Sequence, residues 1–115
     1  MAGGMREVNL EEGKPFVDAA IKRLTFEIKQ SQRSGFSVLK IIHGYGSSGT
    51  GGRIRREARA YLERLKSKGE IRDFITGEAF SIFDATTRDA FNRCSELRKD
   101  RDLERHNNGV SFILL

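Results

Sequence analysis

The sequence lacks features that several classes of protein require. It has one cysteine, Cys94, so an internal disulfide and a cysteine-rich zinc site are excluded. A single free thiol is typical of a reducing compartment, and we therefore expect a cytoplasmic location. No apolar run approaches the ~20 residues that a membrane-spanning helix needs, and residues 1–10 do not have the basic-then-apolar layout of a signal peptide. These absences predict a soluble protein.

Size and charge narrow the possible functions. The chain of 115 residues is the length of one domain, and an apolar content of 37% with eight Phe is enough for one hydrophobic core. Its 21 Lys and Arg against 16 Asp and Glu give a net charge of +5. Residues 53–72 hold eight basic and three acidic residues, a net +5, so the rest of the chain sums to zero. This confinement predicts a basic binding face for an acidic partner such as nucleic acid.

The hydrophobic pattern predicts an α/β fold. A short strand at residues 6–10 precedes an amphipathic helix that ends near residue 35, and the nearly continuous apolar run at 36–43 indicates a central strand buried on both faces. The remaining predicted elements are a helix at 54–69, strands at 71–75 and 110–115, and a third helix from residue 84 through the charge-dense residues 98–105. The order β-α-β-α-β-(α)-β predicts a two-layer or three-layer sandwich with a four-stranded, mostly parallel or mixed sheet.

A glycine-rich loop, residues 44–52, connects the predicted central strand to the second helix. Its spacing matches the G-x-G-x-x-G dinucleotide fingerprint, but the region about 20 positions on, where the fingerprint needs an acidic residue after a strand, is the second helix. The chain is also short for a doubly wound sheet. A Walker A loop is excluded because no Gly-Lys-Ser or Gly-Lys-Thr occurs.

The same loop predicts an anion site. Glycines at a helix N-terminus expose unpaired backbone N–H groups at the positive end of the helix dipole, and arginines follow at once. Tyr45 lies between two glycines and could stack on an exposed base or pack onto the sheet. The predicted phosphate-binding residues are Gly44, Tyr45, Gly46, Ser47, Ser48, Thr50, Gly51, Gly52, Arg53, Arg55, Arg56 and Arg59.

The run Ile41-Ile42-His43-Gly44-Tyr45-Gly46, followed by Gly52-Arg53-Ile54-Arg55 at the start of a helix, resembles the Smr (small MutS-related) domain. The hallmark of that family is an I-H-G-x-G segment followed by a glycine and a basic helix. The resemblance implies a two-layer α/β sandwich over a four-stranded sheet, similar to the C-terminal domain of translation initiation factor three. It also implies nucleic-acid binding and, as in several members, DNA nicking or RNA cleavage. We expect a single Smr-like domain over residues 1–115, with an added helical segment at about 84–106.

The resemblance breaks down at the end of the first strand. Family members usually carry L-D-x-H there, with the Asp and His implicated in cleavage, whereas this chain has Val8-Asn9-Leu10-Glu11. Asn9 cannot act as a general base, and Glu11 places a carboxylate where the family has an imidazole. If parallel pairing brings Glu11 near His43, these two are the candidate catalytic residues, with Glu11 orienting His43 or helping to hold a magnesium ion. Otherwise His43 is a structural histidine of the binding loop.

Four functions therefore compete. The leading one is an Smr-like domain that binds DNA or RNA without cutting it efficiently. The others are a nuclease that uses His43 and Glu11, a protein-interaction module that uses the third helix, and a binder of a small anionic ligand. No residue is assigned to a metal site, and no cofactor is expected beyond magnesium for a nuclease.

Overall fold

The computed structural model describes residues 3–13, 15–45 and 51–115. Within these residues the chain forms four strands, three α-helices and two short 3-10 helices, and the predicted element order is confirmed. The strands and α-helices are β1 (Met5–Asn9), α1 (Val17–Arg33), β2 (Val38–Ile42), α2 (Gly51–Ser67), β3 (Asp73–Thr76), α3 (Ala85–Arg93) and β4 (Val110–Leu114). The 3-10 helices are Gly77–Ala79 and Ser95–Lys99. Among the described helices, none combines the length and apolar character that a bilayer span requires.

The strands form one mixed sheet in the order β1-β2-β4-β3. β1 is parallel to β2, and β4 is antiparallel to both β2 and β3. The predicted central position of β2 is confirmed, since it lies between two strands and is buried along most of its length. Asn9 at the end of β1 lies opposite Ile42 at the end of β2, so the two strands end at the same edge of the sheet.

Helices α1 and α2 pack together on one face of the sheet. In α1, Ile21, Leu24 and Ile28 lie three and four residues apart, which places them on one helical face toward the sheet. The same core cluster contains Val8, Leu39, Ile41, Ala58, Leu62, Leu65, Ile71 and Ile113. These two layers are the predicted α/β sandwich.

The opposite face of the sheet is covered by the β3–β4 connection, residues 77–109. The rings of Phe80 and Phe112 lie 4.1 Å apart between centroids, and Phe91, Cys94 and Leu97 complete this second core. The connection therefore covers the second face of the sheet, in addition to the two-layer sandwich that the helices α1 and α2 form with it. Cys94 is a buried core residue, as its place in the apolar pattern predicts.

The third helix is shorter than predicted. Asp84 caps it as expected, since its carboxylate accepts the Thr87 N–H at 2.9 Å. The prediction of a continuous helix through residue 105 is wrong, because α3 ends at Arg93 and Cys94 has an extended backbone with φ −147°. This change of direction lets Leu97 enter the core and carries the acidic residues beyond it over the sheet.

Lys40, in the middle of β2, is fully buried against that acidic stretch. Its Nζ lies 3.0 Å from both carboxylate oxygens of Asp100 and 2.6 Å from Oδ2 of Asp102. The central strand and the β3–β4 connection are therefore joined by a buried ionic contact, which offsets the cost of taking the ammonium out of water.

Candidate functional site

The candidate site lies where β1 and β2 end and α2 begins. Gly44 has a left-handed backbone with φ +73°, and a side chain there would collide with the carboxylate of Glu11. Glu11 therefore lies beside the glycine loop, as the parallel pairing of β1 and β2 predicts. Gly46, Ser47, Ser48 and Thr50 fall outside the described residues, and their phosphate contacts stay predictions.

His43 is fully buried, and both of its ring nitrogens have partners. Nδ1 lies 2.8 Å from the carbonyl oxygen of Gly44, which can only accept, so Nδ1 carries the proton. Nε2, at 2.9 Å from Oγ of Ser111, then accepts the hydroxyl proton. Neither partner is Glu11, so the arrangement in which Glu11 orients His43 is not the one observed. The imidazole instead ties the start of the loop to β4.

The environment of His43 keeps its imidazole neutral. Burial lowers the pKa of His43 to about 4, and the nearby cations Arg59 and Arg55 act in the same direction. The hydrogen bond to the Gly44 carbonyl opposes this shift. At neutral pH the side chain therefore carries no charge and serves as a hydrogen-bonded anchor.

This burial predicts a pH-dependent stability. In the unfolded chain a histidine titrates near 6.5, so between pH 6.5 and 4 the unfolded state binds more protons than the folded state and falling pH destabilises the fold. Wild type should have a larger free energy of unfolding than His43→Asn at pH 7. We expect this difference to shrink by up to about 3 kcal/mol as the pH falls from 7 to 4. Urea denaturation at several pH values measures the free energies of unfolding. His106→Asn is the control, because His106 is exposed. A gap between wild type and His43→Asn that stays constant with pH would contradict a buried neutral His43.

Arg59 organises the interior side of the site. Its Nη1 and Nη2 donate to the carboxylate of Glu78 at 2.8 and 2.7 Å, and these hydrogen bonds hold the pKa of Glu78 below its ordinary value. Nη2 also reaches the carbonyls of Asn108 and Val110, and Nε lies 3.4 Å from Oγ of Ser111. The guanidinium thus joins α2 to the β3–β4 connection. A phosphate contact by Arg59 stays a prediction, and the contacts described here assign it first to holding these elements together.

The remaining predicted arginines are displayed at the beginning of α2. Arg53 and Arg56 are exposed, Arg55 is half-buried, and the first turn of α2 contains no acidic residue. The positive end of the helix dipole is therefore reinforced by side-chain charge. Arg53 also lines an open cleft of about 520 Å³ between α1 and α2. The other residues of the cleft are Val17, Asp18, Ile21, Lys22, Glu57 and Arg64.

Tyr45 packs against the beginning of β4, one of the two placements that the sequence left open, and stacking on a base stays a prediction. Its ring rests on Gly109, where a Cβ would lie only 3.0 Å from the ring atom Cδ1. The side chain nevertheless remains 58% exposed. The aromatic ring is thus supported from below by backbone and accessible from outside, which is the arrangement a base-stacking platform requires.

Three residues of the site come from a distant part of the chain that sequence reasoning did not assign to it. The carbonyl of Gly109 accepts the N–H groups of His43 and Gly44 at 2.9 and 3.0 Å. The side chain of Asn107 accepts the N–H of Gly109, and the hydroxyl of Ser111 donates to Nε2 of His43. Ser111 lies 68 residues from its partner His43. The available signal was a polar serine inside an otherwise apolar final strand, but nothing local says which residue it meets.

The described residues offer no cluster of side chains that would support a magnesium site. Over the described residues 3–13, 15–45 and 51–115, no group of three or more His, Cys, Asp or Glu side chains is placed to hold a metal ion. The acidic residues around Lys40 surround an ammonium that already fills their centre.

Comparisons with known proteins agree with this architecture. The family model of the Smr domain matches residues 13–79, which is more than half of the chain. The crystal structure of the Smr domain of Thermus thermophilus MutS2 is similar, with a TM-score of 0.59 and 20% sequence identity. That match covers 96% of this chain and 96% of the other, so the likeness in fold extends beyond the residues that the family model matches. No curated protein matches the sequence.

Proposed function

The chain belongs to the Smr domain family, and from this premise we propose that it binds nucleic acid through the glycine loop and the first turns of α2. The observation that carries the proposal is the junction itself. A loop rich in glycine ends at a helix N-terminus whose first turn bears arginine and no acidic residue. Backbone N–H groups at such a terminus lack helical partners and favour phosphate oxygens.

The roles of individual residues follow from their exposure. Arg53 and Arg56 are accessible and can form charge-assisted hydrogen bonds to phosphates, with Arg55 beside them. Tyr45 offers an aromatic surface at the other end of the loop. In this proposal the arginines supply affinity and Tyr45 receives a base that is not paired.

Binding is favoured over cleavage by the state of His43. A general base needs access to the proton that it removes, but His43 is buried and both ring nitrogens are engaged. Asn9, at the position of the usual aspartate, accepts the N–H of Glu11 at 2.8 Å and so shapes the turn after β1. Glu11, whose carboxylate lies against Gly44, is the one observation that favours a nuclease as second candidate.

The test is the salt dependence of binding to labelled single-stranded RNA, single-stranded DNA and duplexes. If three or four phosphates are contacted, affinity should fall roughly 20- to 50-fold for single strands and roughly 40- to 150-fold for duplexes between about 50 and 200 mM salt, because each contact releases counterions. Fluorescence anisotropy measures the dissociation constant, and an affinity that is absent or independent of salt would contradict the proposal.

The same samples, incubated with magnesium, report cleavage. Shortening of the nucleic acid over time that disappears in Glu11→Gln would support the nuclease instead.

A further inference from the structure

The beginning of the glycine loop rests on the end of the β3–β4 connection. The carbonyl of Gly109 accepts two consecutive backbone N–H groups, from His43 at 2.9 Å and from Gly44 at 3.0 Å. Tyr45, the next residue, packs its ring on the same glycine. The position of Gly109 therefore determines where the loop leaves β2 and how Tyr45 is presented.

Asn107 holds Gly109 in that position. Its Oδ1 accepts the N–H of Gly109 at 2.9 Å, and its Nδ2 donates to Oδ1 of Asp102 at 2.9 Å. A donor on one side and a carboxylate on the other leave the amide one orientation, because its oxygen must face the N–H and its nitrogen must face the carboxylate. The side chain is thus a directional link between Asp102 and the loop.

Asp102 is itself fixed by Lys40. Its second oxygen lies 2.6 Å from Nζ of Lys40, and its backbone N–H donates to Asp100 at 2.8 Å. Burial opposes ionisation, but hydrogen bonds from Asn107 and Lys40 hold the pKa of Asp102 below its ordinary value. The carboxylate therefore remains an acceptor at neutral pH, as the orientation of Asn107 requires.

We infer that Asn107 is a positioning residue of the binding loop, which acts through Gly109 and is oriented by Asp102 and Lys40. The contacts form one path from the buried ammonium on β2 to the N–H groups of His43 and Gly44. The β3–β4 connection, most of which lies beyond the residues matched by the family model, is then a working part of the site. The inference rests on the proposed binding of nucleic acid, because preorganisation of the loop matters only if the loop holds a ligand.

The experiment compares Asn107→Ala with Asn108→Ala in the full chain. Asn108 is the matched control, because its contact to Arg59 uses the main-chain carbonyl, which alanine retains. In Asn107→Ala we expect amide exchange of Gly44 in the free protein to become about three- to tenfold faster, and affinity for single-stranded nucleic acid to fall by a similar factor, as for one lost hydrogen bond. The salt slope should stay unchanged, since the arginines of α2 keep their contacts. Asn108→Ala should leave all three quantities at wild-type values.

Two results would overturn the inference. One is a Gly44 amide that exchanges at the same rate in Asn107→Ala and wild type. The other is an equal loss of affinity in both variants, which would indicate a general effect on the connection. If wild type binds no nucleic acid, the proposed function fails, while the exchange rates measured on the free protein still decide whether Asn107 positions the loop.

Discussion

Replacing Lys40 by methionine is expected to lower the free energy of unfolding by about 3–5 kcal/mol, because it leaves two buried carboxylates without their cation. The lysine side chain is 0% exposed, and those of Asp100 and Asp102 are 5% and 10% exposed. Methionine has a similar length and an apolar character, so the side-chain volume is largely kept. The charge is lost, together with the contact of Nζ to the Phe112 ring, whose centroid lies 5.3 Å away. Urea denaturation at neutral pH measures the change.

Two controls separate this effect from a generic loss of charge. Lys66 pairs with Asp73 at 3.1 Å on the surface with its side chain 45% exposed, and Lys66→Met should cost less than about 1 kcal/mol. Adding Asp100→Asn and Asp102→Asn to Lys40→Met removes the stranded charges and should restore part of the stability. A Lys40→Met protein as stable as Lys66→Met would contradict the buried ionic contact.

The second large effect concerns binding. Replacing Arg53, Arg55 and Arg56 together by glutamine should weaken nucleic-acid binding roughly a hundredfold at low salt and reduce the salt slope by about 2 to 3, one phosphate contact for each arginine. Glutamine keeps the helix and a hydrogen-bonding side chain while removing the charge. Anisotropy titrations over a range of salt concentrations measure both quantities.

The matched control removes the same charge from the other end of α2. Lys66, Lys68 and Arg72 are exposed at that end and just after it, and their joint replacement by glutamine changes the net charge by the same amount. We expect it to alter affinity far less, because these residues lie away from the glycine loop. Equal losses in the two triple variants would mean that overall charge, and not the junction of loop and helix, governs binding.

The fold could be predicted largely from local patterns. The stripe of Ile54, Ala58, Leu62 and Leu65 defines α2 because helical periodicity is a property of neighbouring residues. The apolar run of β2 likewise predicts a central strand, and the structure places it between β1 and β4. The glycine loop and its arginines were recognisable for the same reason, since loop and helix are adjacent in the chain.

The contacts that could not be predicted join residues that lie far apart in the sequence. The charge-dense residues 98–105 have the composition of an exposed helix, but Asp100 and Asp102 instead neutralise Lys40, and Asp100 lies 60 residues from it. A lysine inside an apolar strand signals that some acidic partner exists and does not identify it. The roles of Asn107 and Gly109 were hidden in the same way, because their neighbours at the loop are decided by how β4 enters the sheet.

The place of β4 between β2 and β3 has a consequence for the order in which the molecule is assembled. During synthesis β1, α1 and β2 emerge first, yet the strand that joins β2 to β3 is formed by residues 110–114. Pairing of such sequence-distant strands is slow because a long loop must close first. The beginning of the glycine loop receives its support from Gly109 in that same step, so the sheet is completed and the loop is held only after residues 109–114 have been synthesised.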